Sequence, residues 1–133
     1  MSPVSPRDAV IRTAADLFTL WQSLMGDGGF GRRSLWVLFL DADGRPAPVI
    51  MPIDDIPTRP DDGMLTGLRS IISGLADEGV ASVALLLSRP GPRAMAADDR
   101  SWARALNPLT SWPVHLATAA DLQVFAPDDL VAA

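Results

Sequence analysis

VASVALLLSRP, residues 80–90, is the stretch that decides the fold. Residues 80–87 are almost continuously apolar. A strand with one face in water alternates apolar and polar residues, whereas a strand covered on both faces has a nearly unbroken apolar run. Gly79 precedes the stretch and a Pro-Gly-Pro-Arg loop, residues 90–93, follows it, so both ends carry turn signals. The stretch therefore predicts a strand over residues 80–87 inside a sheet that is covered on both faces.

A first helix is predicted near the N-terminus. Thr13 and Asp16 have the spacing of a capping box, in which each side chain binds the backbone N–H of the other residue. The apolar residues that follow recur at helical spacing and are expected to face the core: Leu17, Phe18, Trp21, Leu24 and Met25. Gly26 is expected to end this helix, and residues 27–31 are expected to form a flexible connector.

A second helix is predicted directly before the central strand. Asp61 or Asp62 can cap it, and Gly79 is expected to end it. The residues expected on its buried face share helical spacing: Met64, Leu65, Leu68, Ile71, Ile72 and Leu75. Gly67 and Gly74 each weaken a helix by about 1 kcal/mol relative to alanine. Their presence predicts that another backbone, of this chain or of a partner, approaches the helix closely.

The remaining segments predict strands and a third helix. Residues 35–40 and 47–53 are expected to form a hairpin around the turn at residues 41–44. Three prolines predict that its second strand lies at a sheet edge or is irregular: Pro46, Pro48 and Pro52.

After the central strand, residues 97–106 predict a helix with Trp102 and Leu106 facing inward, stopped by Pro108. Residues 114–117 and 122–125 predict a closing hairpin.

Composition restricts the classes of function. The chain has 133 residues, no cysteine and one histidine, His115, which excludes disulfides, thiolate zinc sites and histidine-rich metal sites. Its net charge of -5 argues against a general nucleic-acid or anionic-membrane surface. The N-terminus lacks an apolar signal region, and no run approaches the roughly 20 apolar residues that span a bilayer. We therefore expect a cytoplasmic protein without a nucleic-acid or membrane partner.

Three stretches together resemble the RadC branch of the JAB/MPN family: IRTAADL at residues 11–17, LWVLFLDADGRP at residues 35–46, and VASVALLLSRPGPRAMAADDRSWARAL at residues 80–106. The resemblance implies a single α/β domain over residues 1–133. Residues 1–6 are rich in serine and proline and are expected to be disordered. It also implies a mixed β-sheet flanked by about three helices, in a JAB/MPN-like (cytidine-deaminase-like) architecture.

The same resemblance implies that the family's metal site is degenerate here. In active members the central strand ends in His-x-His-Pro, a Ser-x-x-Asp segment opens the next helix, and a glutamate precedes the first strand. The histidine positions fall on Leu87 and Arg89, the aspartate position on or near Asp98 or Asp99, and the glutamate position on or beside Arg33. A leucine and an arginine donate nothing to zinc. We therefore expect no metal, no cofactor and no catalytic residue.

This expectation favours a non-catalytic binding or scaffold module with a protein partner or a homo-oligomer. The alternative is a domain that binds an anion or small ligand through an arginine cluster, because guanidinium groups bind carboxylates and phosphates bidentately. The residues of that cluster are Arg33, Arg89, Arg93 and Arg100. Asp98 and Asp99 are close enough in sequence to neutralise these arginines internally, so the sequence leaves open whether the cluster is paired or free.

Overall fold

The predicted central strand is present as β3, Ser82–Ser88, the third of five strands in one sheet. The computed structural model describes residues 10–25, 32–118 and 121–126. The chain forms one α/β domain with these elements in order: α1 (Ala14–Met25), β1 (Ser34–Leu40), β2 (Pro46–Asp54), α2 (Asp62–Ala76), β3, α3 (Ala97–Leu106), a 3-10 helix (Asn107–Leu109), β4 (His115–Ala117) and β5 (Leu122–Val124).

The sheet is mixed, as expected. Its strand order is β2-β1-β3-β4-β5. β1 runs antiparallel to both β2 and β3, β3 and β4 are parallel, and β4 and β5 are antiparallel. Parallel neighbours require a crossover connection, and α3 with the 3-10 helix supplies it between β3 and β4. The predicted hairpins over residues 35–53 and 114–125 are confirmed, and β2 lies at an edge.

Both faces of β3 are covered, which explains its unbroken apolar run. Successive side chains of a strand point to opposite faces. Val83, Leu85 and Leu87 pack in the core that contains residues of α2 and α3. Ala84 and Leu86 pack in a second core that contains residues of α1. The domain therefore has three layers, with α1 on one face of the sheet and α2 and α3 on the other.

The capping box predicted for α1 is present. Thr13 Oγ1 accepts a hydrogen bond from the backbone N–H of Asp16 at 3.1 Å. The Asp16 carboxylate accepts from the backbone N–H groups of Arg12 and Thr13 at 3.0 and 3.1 Å. Hydrogen bonds from these backbone groups, first from Arg12 and then from Thr13, hold the pKa of Asp16 below its usual value. The box fixes the start of a helix that buries Leu17 and Trp21 against the sheet.

The β1–β2 turn contacts the segment that leads into α1. Gly44 has a φ of +81°, and its carbonyl oxygen accepts a hydrogen bond of 2.8 Å from the N–H of Ile11. A Cβ atom at Gly44 would collide with the carbonyl oxygen of Ile11. Glycine is therefore required at this position both by its backbone conformation and by the close approach of a second backbone.

One residue of α2 departs from the predicted buried face. Asp61 caps the helix by accepting from the N–H of Met64 at 2.8 Å, as expected. Leu68 is the fully buried residue at the centre of the packed arc. The prediction that Ile71 faces inward is wrong, because its side chain is 45% exposed. By helical spacing Ile71 lies at the margin of the apolar arc, on the side away from Leu65 and Ile72.

The glycines of α2 have open surroundings. A Cβ atom built at Gly67 or at Gly74 would have no heavy atom within 4 Å, leaving aside the local helix backbone. Among the residues that the structure describes, the predicted close approach of another backbone is therefore wrong. Approach by the backbone of a partner stays a prediction.

Alanine at Gly67 or Gly74 is expected to stabilise the protein by about 0.5–1 kcal/mol each, because alanine restricts the unfolded chain and the added methyl groups meet no atoms. Urea denaturation of each variant, followed by circular dichroism, measures the change. Gly79→Ala is the matched control. Its methyl group would also meet no atom within 4 Å, but Gly79 has a φ of +95°, so this variant is expected to be less stable than the parent. A loss of stability at Gly67 and Gly74 would contradict the prediction.

α3 begins and ends at the predicted residues. Trp102 and Leu106 are buried, and Trp102 Nε1 donates to the carbonyl oxygen of Pro57 at 2.9 Å. None of the helices in the described ranges has the length and apolarity that crossing a bilayer requires. Several expectations lie outside the described residues: the disorder of residues 1–6, the helix stop at Gly26 and the connector at residues 27–31.

Candidate functional site

The positions that the family resemblance singles out meet at one end of the sheet. β1 and β3 are antiparallel with Ser34 opposite Ser88, so the start of β1 lies beside the end of β3. Arg33 directly precedes β1, and Arg89 directly follows β3. The first turn of α3 brings Asp99 to the same place. Three residues from distant parts of the chain therefore converge.

Arg89 is the centre of this site. Its side chain is only 7% exposed. Its Nε and Nη2 atoms donate to the two carboxylate oxygens of Asp99, each at 2.8 Å, which is the bidentate arrangement of the strongest ion pairs. The buried guanidinium and carboxylate thus neutralise each other.

The loop after β3 supplies the other acceptors for Arg89. Nη1 donates to the carbonyl oxygens of Pro90 and Pro92 at 3.1 and 2.9 Å, and Nη2 donates to that of Ala94 at 2.9 Å. A guanidinium group has five N–H donors, and these contacts together with Asp99 use all five. Gly91, with a φ of +100°, provides the left-handed turn that wraps the loop around the side chain. Arg89 therefore has no N–H left to offer a ligand.

Asp99 is equally occupied. Its side chain is 1% exposed and accepts, besides Arg89, the backbone N–H of Ala96 at 2.8 Å. Ala96 is the N-cap residue of α3 and has no side chain that could cap the helix, so Asp99 satisfies the helix start from its third position. Arg33 Nη1 lies 3.5 Å from Asp99 Oδ1, with its side chain 27% exposed.

The pKa of Asp99 follows from these neighbours. Burial alone would raise the pKa, but hydrogen bonds from Arg89 and the Ala96 N–H, with the charges of Arg89 and Arg33, outweigh burial. The pKa is therefore held below its usual value, and the carboxylate stays ionised at neutral pH.

The predicted arginine cluster is divided among different partners. Arg33 and Arg89 share Asp99, whereas the exposed Arg93 pairs with Asp121 at 3.1 Å. Asp98 Oδ1 lies 3.9 Å from Arg59 Nε. Arg100, the fourth arginine of the cluster, has no ion pair within the described ranges. The question left open by the sequence is thus answered for Arg89, which is internally paired.

The donor set at this site does not fit zinc. Leu87, at the first histidine position, is 4% exposed, packs in the core with Trp102 and donates nothing. Arg89 is a cation, and Asp99 is committed to it. Zinc needs about four N, S or O donors arranged around one point. In the described parts of the chain there is no group of three or more His, Asp or Glu side chains placed to hold a metal ion.

His115 lies on β4, as expected for a later strand, but on the other face of the sheet. Along β4, Leu116 packs in the core of α2 and α3, whereas Ala117 packs in the core of α1. By alternation His115 shares the α1 face, and its ring centroid is 5.9 Å from that of Phe18. His115 Nδ1 donates to the carbonyl oxygen of Pro113 at 3.1 Å. The histidine is therefore a buried part of the α1 layer and is separated from Arg89 by the sheet.

Sequence reasoning missed two features of this region. The carbonyl acceptors of Pro90, Pro92 and Ala94 were not foreseen, although the Pro-Gly-Pro spacing after an arginine favours a tight loop whose carbonyls turn inward. The hydrogen bond of 2.9 Å from Trp36 Nε1 to the buried Ser88 Oγ has no local sequence signal, since it joins residues of two different strands.

Comparison with models of known protein families found no match, and comparison with curated protein sequences found none either.

Proposed function

We propose that this protein is a non-catalytic binding or scaffold module of the RadC-like, JAB/MPN type, acting in the cytoplasm through protein–protein interaction. The observation that carries the proposal is the saturated Arg89–Asp99 ion pair, which occupies two positions that bind zinc in active members of the resembled family. The convergence of Arg33 on the same carboxylate supports the alignment from which those positions were assigned.

The Arg89–Asp99 ion pair has a structural role. Asp99 connects the start of α3 to Arg89, and Arg89 fixes the conformation of residues 90–94. A general base needs a free lone pair near a substrate, and an electrophilic group needs free N–H donors. The Asp99 carboxylate is buried among hydrogen-bond donors that it already accepts from. All N–H groups of Arg89 already donate to protein acceptors. The residues that carry chemistry in active relatives therefore maintain the shape of a loop and a helix here.

The alternative function, anion binding by the arginine cluster, has weaker support from this geometry. A ligand at Arg89 would have to displace a buried carboxylate and several carbonyl groups, each of which would then lose its hydrogen bond. Arg93 is exposed and paired with Asp121. The two functions can be separated by thermal denaturation, because a ligand that binds only the folded state raises the Tm. Millimolar phosphate is expected to leave the Tm unchanged, and a shift abolished by Arg33→Ala would favour the alternative.

Elemental analysis tests the non-catalytic half of the proposal. Protein purified without a metal-affinity tag is expected to contain far less than one zinc per chain, and to leave isopeptide and peptide substrates uncleaved. The exposed pair provides a matched control, since Arg93→Ala should change neither result. One equivalent of zinc, lost on substitution of Asp98 or Asp99 by alanine, would show that the loop has been aligned wrongly and that the proposal fails.

Sedimentation velocity tests the binding half. The protein is expected either to self-associate as its concentration rises or to form a stoichiometric complex with a partner identified in the source cell and then purified. Reconstitution from purified components distinguishes a specific complex from incidental capture. A chain that stays monomeric and forms no such complex would contradict the proposed scaffold role.

A further inference from the structure

α2 is the least covered of the described helices. Its 15 residues include one buried side chain, Leu68, whereas the shorter α1 and α3 bury three and four. Ile71 is 45% exposed, and Met64 and Leu75 are only partly buried. These four residues repeat at spacings of four and three, which is the pattern of a helix that packs against another helix. α2 therefore carries an apolar seam, Met64, Leu68, Ile71 and Leu75, that its own domain covers incompletely.

The surroundings of Ile71 are open, and the end of the helix beside it is negatively charged. Gly67 and Gly74, four residues before and three after Ile71, are its neighbours on the helix surface and have no side chains to shield it.

A helix C-terminus carries a partial negative charge and favours basic residues. α2 has none in its last turn and is followed by Asp77 and Glu78, both exposed. Neither forms an ion pair with a described residue. Arg45 and Asp41, which line one cavity with Glu78, add one charge of each sign. The negative charge at this end of α2 is therefore uncompensated.

We propose that α2 docks an amphipathic helix of a different protein, whose apolar stripe covers Ile71 and whose lysine or arginine lies beside Asp77 and Glu78. This inference rests on the binding role proposed above and names its surface and its partner.

Charge decides which occupant fits this surface. Residues 61–78, which comprise α2 with the residues at its two ends, contain four acidic residues and one basic residue, Arg69. Arg69 is two positions before Ile71 and therefore points away from it. A second copy of the chain would bring the same negative charge to a direct pairing of two α2 helices and would be repelled. Nucleic acid and anionic lipid are repelled for the same reason, whereas a basic amphipathic helix complements both the apolar seam and its charge.

Selection from a displayed library of helical peptides tests the proposal. Peptides of about 18 residues are long enough to span α2. Those retained by the full chain are expected to combine a stripe of leucine or isoleucine with lysine or arginine near one end. The affinity of one selected peptide, purified, is then measured by fluorescence anisotropy. Ile71→Ser is expected to weaken binding about tenfold and Glu78→Gln about fivefold. Asp62→Asn is the matched control, since it removes the same charge on the opposite side of the helix, and is expected to change the affinity less than about twofold.

Gly74→Ala separates binding from folding, because the two effects have opposite signs. The variant is expected to be more stable than the parent and yet to bind the selected peptide more weakly, since its methyl group occupies space beside Ile71.

The proposal is overturned if the selection yields no peptide, or yields peptides without basic residues, or if Ile71→Ser leaves the affinity unchanged. Self-association of the parent that Ile71→Ser abolishes would assign the surface to a second copy and would also overturn it. If a purified native partner bound the parent and Ile71→Ser equally, this surface would be wrong while the binding role stood. A chain without any partner would contradict the binding role itself.

Discussion

Replacing Arg89 with alanine is expected to lower the free energy of unfolding by about 3–5 kcal/mol. The substitution leaves the carboxylate of Asp99, 1% exposed, without its bidentate partner in a place that water hardly reaches. It also removes the donor from three loop carbonyl groups. Urea denaturation followed by tryptophan fluorescence measures the loss. Asp99→Ala is expected to lower the free energy of unfolding by a similar amount. It leaves the guanidinium of Arg89 without its carboxylate partner and removes the acceptor for the backbone N–H at the start of α3.

A double variant separates the ion pair from its surroundings. Arg89→Met with Asp99→Leu removes both charges together and is expected to cost less than either single alanine substitution, because no unpaired charge stays buried. The matched control is the exposed pair of Arg93 and Asp121, where Arg93→Ala is expected to cost about 0.5 kcal/mol or less. If Arg89→Ala were as mild as Arg93→Ala, the buried pair would not have the structural role assigned to it.

Gly44→Ala is the second substitution with a large expected effect, a loss of about 3 kcal/mol of stability. Alanine at this position would have to adopt a φ of +81°. Its methyl group would meet the carbonyl oxygen of Ile11, a backbone atom that cannot move aside as a flexible side chain can. Relieving the contact would break the hydrogen bond from Ile11 to Gly44 and shift the chain at the start of α1. Chemical denaturation measures the loss.

Gly79→Ala isolates the conformational part of that cost. Gly79 also has a positive φ, +95°, but no atom lies within 4 Å of the added methyl group. Its substitution is therefore expected to cost only about 1 kcal/mol. Equal losses at the two positions would show that the contact with Ile11 contributes nothing.

The order and type of the elements could be predicted from the sequence because local signals agree with the tertiary structure. The Thr13–Asp16 box and the Asp61 cap are interactions between residues three positions apart, so their spacing alone predicts them. The apolar run of β3 has the pattern required by coverage on both faces. Ile71 could not be placed correctly, since apolar spacing predicts the direction of a helix face and leaves undefined how far the neighbouring layer extends beneath it.

The candidate site was less predictable, because its partners are distant along the chain. That Arg33, Arg89 and Asp99 meet follows from the antiparallel register of β1 and β3 and from the path of the loop into α3. A sequence can suggest that arginines and aspartates are near each other, but whether an arginine is paired or free depends on burial and on atomic distances. The five donors of Arg89 and their acceptors become countable only in three dimensions.

The prolines of β2 limit how this sheet can grow. Proline has no N–H, and β2 contains Pro46 and Pro52, which lie opposite Leu40 and Trp36 of β1 on either side of a register shift. The Leu40 carbonyl accepts from the N–H of Ala81 on the β3 side, so these two pairs are not hydrogen-bonded across β1 and β2, and the missing donors lie at the outer edge. An incoming strand would find too few N–H groups there to build a continuous ladder. Stacking of copies into fibrils through this edge is therefore suppressed by the covalent structure of the strand itself, at any protein concentration.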